Sequence, residues 1–242
     1  MNNNSAVYQS DYHIRYSDCG SNGRLTVSAL MRICSDAAVD DFDEHQLTRD
    51  FLLEHDMLFM LSKLSAGITK LPSAGDRIRI YTWVQAVDKL IFHRGFIVES
   101  ENGEVAFQAT SDWILLEAST KKIRRTSDFT FPVETDPMLI PDCAPNGRIH
   151  FGFYEKCGNY PVKREHIDSN GHMNNAVYGD IIMDFLTDDE FDREMKNIRV
   201  NFSSELTLGS SAEIFKGNDG DKLYICGKNE GKTSFEAEIL YN

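Results

Sequence analysis

Tyr12-His13-Ile14-Arg15, followed by Ser21-Asn22-Gly23, returns in the second half of the chain as Tyr160-Pro161-Val162-Lys163, followed by Ser169-Asn170-Gly171. The register is constant and needs no gap. Each copy leads into an apolar stripe at helical spacing: Ala29, Ile33 and Ala37 with Leu30, Cys34 and Ala38 in the first, Val177, Ile181 and Phe185 in the second. Strand-like runs come next. They cover 77–85, 90–100 and 105–117 in the first half, and 198–206, 212–216, 222–227 and 234–241 in the second. Between them stand turn formers, Glu101-Asn102-Gly103-Glu104 and Asn218-Asp219-Gly220-Asp221. A helix followed by several antiparallel strands predicts an α+β unit in which a curved sheet wraps a central helix. Two such units in one chain predict an intramolecular pseudo-dimer.

Between the repeats, Pro132, Pro137, Pro141 and Pro145 supply four of the six prolines, in a stretch with neither helical nor alternating periodicity. We therefore expect a first unit over 1–130, a linker over 131–155 and a second unit over 156–242. The 242 residues are 41% hydrophobic and 26% charged, which excludes disordered and fibrous classes and suffices for one large core or two small ones. No basic leader opens the chain and no apolar run is long enough to span a membrane, so a cytoplasmic, non-membrane protein is expected. A net charge of -13 disfavours nucleic acid and anionic lipid as partners. The five cysteines are scattered and lack C-x-x-C spacing, so they read as reduced thiols.

The densest polar cluster is His166-Ile167-Asp168-Ser169-Asn170-Gly171-His172-Met173-Asn174-Asn175, between a predicted strand and the second helix. Asparagines cap helix N-termini, where backbone N–H groups of the first turn point outward. An acid, an amide and an imidazole at such a helix start are what acyl hydrolysis requires. Asp168, Asn170, His172 and Asn174 are spaced by two, and in an extended loop they would face one side. Asp, Asn, Ser and Gly are also ordinary turn and cap formers. The repeat separates the two readings: Ser-Asn-Gly is shared, whereas Gly20, Arg24 and Thr26 stand where the second copy has Asp168, His172 and Asn174. That pattern describes one active and one retired site. Aligning Gly75 with Gly209 sets Glu205 opposite Leu71, a second acid found only in the second half.

Asp168 to Tyr178 fits D-x-x-G-H-x-N-N-x-x-Y at every fixed position, the loop of hotdog thioesterases. With Thr82-Trp83-Val84, Trp113 ahead of Arg124-Arg125, and Glu205, the chain more closely resembles the acyl-acyl-carrier-protein (acyl-ACP) thioesterases of plants and bacteria. The resemblance spans nearly the whole chain. It implies two tandem hotdog units, hydrolysis of fatty acyl-ACP to free fatty acid in fatty acid biosynthesis, acyl carrier protein as partner, and catalytic roles for Asp168, Asn170, His172 and Glu205. No cofactor is implied. Members often have a cysteine after the late acid, where this chain has Leu206. The absence of a plant-type transit peptide before Tyr8 favours a bacterial protein.

On this reading Asn174 and Asn175 bind substrate beside the catalytic set. Residues around 57–64 of the first half contribute to the acyl pocket. The basic run Lys121, Lys122, Arg124 and Arg125 offers a docking spot for an acidic carrier. Attack by water or by a carboxylate is expected rather than by cysteine. A zinc site from His166, His172 and Asp168 is not expected, because the spacing matches no ligand motif. Two other functions remain open: a hotdog 3-hydroxyacyl-thioester dehydratase, and a noncatalytic acyl-thioester binder. Homodimerisation is left open as well.

Overall fold

The computed structural model describes residues 6–150, 152 and 154–242. Met1–Ser5, part of the segment read for a leader, lie outside the described residues. Ten strands form one antiparallel sheet in the order β1-β3-β4-β5-β2-β7-β10-β9-β8-β6. The first half supplies β1 (Tyr8–His13), β2 (Met57–Ile68), β3 (Arg77–Val87), β4 (Ile91–Ser100) and β5 (Val105–Glu117). The second supplies β6 (Glu155–Pro161), β7 (Met195–Phe202), β8 (Ser211–Asp219), β9 (Lys222–Asn229) and β10 (Lys232–Tyr241). From either edge inward the topology is the same, β1-β3-β4-β5-β2 and β6-β8-β9-β10-β7. The halves join where β2 meets β7, with Leu64 opposite Val200 and Ala66 opposite Ile198. These are two tandem hotdog units fused into one sheet.

Each half carries a long helix and a short one: α1 (Val27–Glu44) and α2 (Arg49–Glu54), then α3 (Asn175–Asp184) and α4 (Asp188–Asp192). Every residue of the first predicted stripe is buried, and Ile181 anchors the second. Leu30, Ile33 and Ile181 each contribute roughly 1.5–3 kcal/mol when removed from water, the alanines less. The helices approach backbone to backbone at Gly179, where a Cβ would lie 2.6 Å from the Ser28 nitrogen. One face of the β2–β7 seam packs on these helices. Across the other runs the proline-rich segment: Ala144 N–H donates to Asn197 Oδ1 and Asn201 Nδ2 donates to the Gly147 carbonyl, both at 2.9 Å. Gly67 permits this strap, since a Cβ there would sit 2.3 Å from the Asp142 carbonyl oxygen.

Several sequence boundaries shift. Strand β2 has no predicted counterpart: its Met-Leu-rich sequence is covered on both faces, by helix and by strap, and so lacks period-two alternation. The predicted strand over 198–206 stops at Phe202, which leaves Glu205 in the following loop. The strand predicted ahead of the His166 cluster runs Glu155–Pro161 and contains Cys157, with a 3-10 turn at Arg164–His166 after it.

Equivalent backbone hydrogen bonds fix the correspondence between halves. Leu25 N–H donates to the Pro72 carbonyl as Met173 N–H does to Leu206, each at 2.8 Å; Thr26 N–H donates to Asp18 as Asn174 N–H does to His166, each at 2.9 Å. Leu71 and Glu205 precede Pro72 and Leu206, so they occupy equivalent places.

Candidate active site

The loop before α3 is not extended. Gly171, at φ +82°, closes a turn in which its N–H donates to the Asp168 carbonyl at 3.1 Å, and Ile167 bridges to Met173. Asp168 Oδ1 accepts the N–H groups of Asn170 at 2.8 Å and His172 at 3.4 Å, so this carboxylate organises the hairpin. Asn174 caps α3, its Oδ1 accepting the Ala176 N–H at 2.8 Å. The helix thus presents the positive end of its dipole at the loop. His172 Nε2 meets Glu205 Oε2 at 2.9 Å. The two loops bearing this pair are tied by the Met173–Leu206 bond. Asp168, Asn170, His172, Asn174, Asn175 and Glu205 therefore converge, through a folded turn rather than by alternation along an extended loop.

All six border one cavity of about 370 Å³. Its remaining wall is largely first-half and apolar, including Ala38, Val39 and Phe42 of α1, Leu47, and Met57 to Leu61 of β2. Helix α1 has 18 residues against 10 in α3. At 1.5 Å per residue the excess extends it by about 12 Å, and this extension forms one side of the chamber. Phe42, Phe59, Phe92 and Phe129 close that end in edge-to-face and stacked contacts, with ring centroids 5.1–6.5 Å apart. A polar cluster at one end of an apolar chamber suits a long-chain acyl group with its reactive carbonyl at the cluster.

The equivalent place in the first half is filled. Only about 30 Å³ remains beside Gly20, Asn22, Arg24 and Leu71. Phe191 of α4 occupies it, and a Cβ on Gly20 would lie 3.2 Å from the Phe191 ring. Thr48 and Thr187 cap α2 and α4 alike. Leu52, four residues after Thr48 as Phe191 is after Thr187, lines the open chamber instead.

Two residues of this site carry no sequence signal strong enough to have singled them out. Arg49, first residue of α2, donates from Nη2 to Asn170 Oδ1 at 3.0 Å and so links the halves at the cluster. Arg94 is buried in the chamber wall and pairs through Nη1 with Asp41 Oδ2 at 2.6 Å. A usable hint was that Asp41 continues the buried stripe of α1, where an acid needs a partner. The basic run does not reach the cavity: Lys121 and Lys122 are exposed in the turn after β5, and Arg124 donates to the Asp56 carbonyl at 3.5 Å. None of the five cysteines borders the cavity. Burial pushes the thiols of Cys143 and Cys226 up to about 11 and raises that of Cys34 further.

Residues 5–130 match the acyl-ACP thioesterase N-terminal domain and residues 154–242 its C-terminal domain. The chain belongs to the acyl-ACP thioesterase family. Family relatives include an oleoyl-acyl carrier protein thioesterase of Arabidopsis thaliana, 24% identical over 82% of this chain and 60% of that protein. Another is a palmitoyl-acyl carrier protein thioesterase of Gossypium hirsutum, 22% identical over 71% of this chain and 45% of that one. The chain thus spans about half the length of the curated relatives it matches. In fold it is similar to an acyl-ACP thioesterase from Bacteroides thetaiotaomicron, with TM-score 0.89, 19% identity and 98% of each chain covered. The 12:0-ACP thioesterase from Umbellularia californica gives TM-score 0.84 at 15% identity, covering 100% of this chain and 99% of that one. Among the described residues no helix is long and apolar enough to cross a membrane.

Proposed function

We propose that this protein hydrolyses fatty acyl-ACP, releasing free fatty acid and holo-ACP, at a single site in its second half. The observation that carries the proposal is the His172–Glu205 pair, 2.9 Å apart, at the polar end of an apolar chamber walled by the other half. The acyl chain lies in the chamber with its thioester carbonyl at the start of α3. There the helix dipole and the Asn170 amide favour negative charge developing on the carbonyl oxygen. The His172–Glu205 pair removes a proton from water as the water oxygen bonds to the carbonyl carbon. Collapse of the tetrahedral intermediate breaks the C–S bond, and the proton passes from the pair to the departing sulfur. Asp168 holds the loop, its carboxylate engaged by two backbone N–H groups.

Thiol release from a panel of saturated acyl-ACPs and acyl-CoAs tests this reading. Turnover of acyl-ACP, lost in the His172→Ala and Glu205→Ala proteins, is the expected result. Absence of thiol release, with either tight binding alone or formation of an enoyl thioester from a 3-hydroxyacyl substrate, overturns it.

A further inference from the structure

Among the described residues, Asn170 is the one polar member of the cluster whose hydrogen-bond partner comes from the other half, Arg49, and this contact has chemical content. The Arg49 guanidinium donates only, so the Asn170 atom it meets at 3.0 Å is the amide oxygen. With Oδ1 held there, Nδ2 turns the other way, toward Asp168 Oδ2 at 3.5 Å. That separation is at the long limit of a hydrogen bond and leaves Nδ2 free to donate elsewhere. An unrestrained asparagine can rotate its amide and offer an acceptor in place of a donor. At a centre where negative charge grows on a carbonyl oxygen, an acceptor is repelled and a donor is stabilising. Arg49 also adds a positive charge, which polarises the amide N–H groups in the helpful direction.

We propose that Arg49 is a positioning residue for thioester hydrolysis: it fixes the Asn170 amide with its N–H groups available to the reacting acyl group. This inference rests on the reading of the site given above. It makes the first half a contributor to the chemistry as well as to the chamber. The corresponding position in α4 is Asp188, which donates nothing in its ionised form, in keeping with the filled site below it.

Steady-state kinetics on the full-length protein with a saturated acyl-ACP test it. Arg49→Ala should lower kcat by about 10-fold, a fraction of what loss of an oxyanion donor costs, with KM changed less than about 2-fold. Arg49→Lys, still a cationic donor, should recover most of the loss. Arg49→Glu should be the worst of the three, because a carboxylate attracts Nδ2 and reverses the amide. In an Asn170→Ala background, Arg49→Ala should have no further effect on kcat. Equal kcat in Arg49→Ala and the unaltered protein, a salt-sensitive rise confined to KM, or losses that multiply in the double variant each overturn the inference. Full activity in Asn170→Ala overturns instead the reading of the site on which it rests.

Discussion

Glu205 Oε2 stands 2.9 Å from His172 Nε2, whereas at the equivalent place in the first half Leu71 borders the small filled site beside Arg24. The pair exists only where the chamber is open. If the two residues act as one unit, His172→Ala and Glu205→Ala should each lower kcat by roughly 10² to 10⁴ fold. The double variant should be little worse than the poorer single one. Losses that multiply in the double variant would show the two acting independently.

The sequence revealed the doubled fold because what both halves need is local: a Ser-Asn-Gly turn, a helix cap at Thr26 or Asn174, and an apolar stripe behind it. The asymmetry on which the proposed site rests is also in the sequence, since Asp168, His172 and Glu205 break a symmetry that the turn residues keep. What escaped was set by long-range packing. Strand β2 hides its period because both faces are covered, and Arg49 becomes meaningful only when α2 is laid over a loop 121 residues away. The role of Phe191 in closing the first-half site was likewise invisible, because an apolar residue on a short acidic helix reads as a simple anchor.

Arg94 and Asp41 form a buried pair in the chamber wall, both under 10% exposed. Burial draws the Arg94 pKa down while Asp41 opposes that shift. Removing one partner leaves an uncompensated buried charge, so Asp41→Asn should destabilise the protein by about 3–5 kcal/mol. Replacing both, as Asp41→Leu with Arg94→Met, should restore much of that stability. Urea unfolding of the unaltered protein and these two variants checks this, and a double variant no more stable than Asp41→Asn refutes it.

His93 links the sheet to acids on both sides, Asp112 Oδ1 at 2.9 Å and Asp88 Oδ2 at 3.3 Å. The Asp112 hydrogen bond is the main cause of its raised pKa, partly opposed by burial. A group whose pKa is higher folded than unfolded contributes its full stability below the unfolded value, about 6.5 for histidine. That contribution disappears as pH rises through the folded value. The unaltered protein should therefore lose stability from pH 6 to pH 8.5 relative to His93→Gln. Parallel melting curves for the two proteins over that range would remove His93 as the cause.

Lys121 and Lys122 are exposed in the turn after β5 in a chain of net charge -13. Their exposure and positive charge are what steering of an acidic carrier protein would use. Reversing both to Glu should raise KM for acyl-ACP, less so at high salt, and leave KM for a short acyl-CoA nearly unchanged. Equal effects on the two substrates would deny the patch a carrier role.

A thiol mechanism needs a cysteine within about 3 Å of a base and with a depressed pKa. Here Leu206 is wholly buried and fills the position after Glu205 where family members often have a cysteine. Burial raises the thiol pKa of all five cysteines, the opposite of activation. Cys157, the nearest in sequence to the loop, lies in edge strand β6 with its thiol turned toward the Ile214 carbonyl at 3.4 Å. A protein with Cys19 and Cys157 changed to Ser and the three more buried cysteines to Ala should melt at lower temperature, since core substitutions each cost about 0.5–3 kcal/mol. Below that melting point its kcat should stay within about 3-fold of the unaltered protein, because no residue of the proposed site has been removed. A folded cysteine-free protein that binds acyl-ACP yet releases no thiol would establish a cysteine nucleophile and overturn water attack assisted by Glu205 and His172.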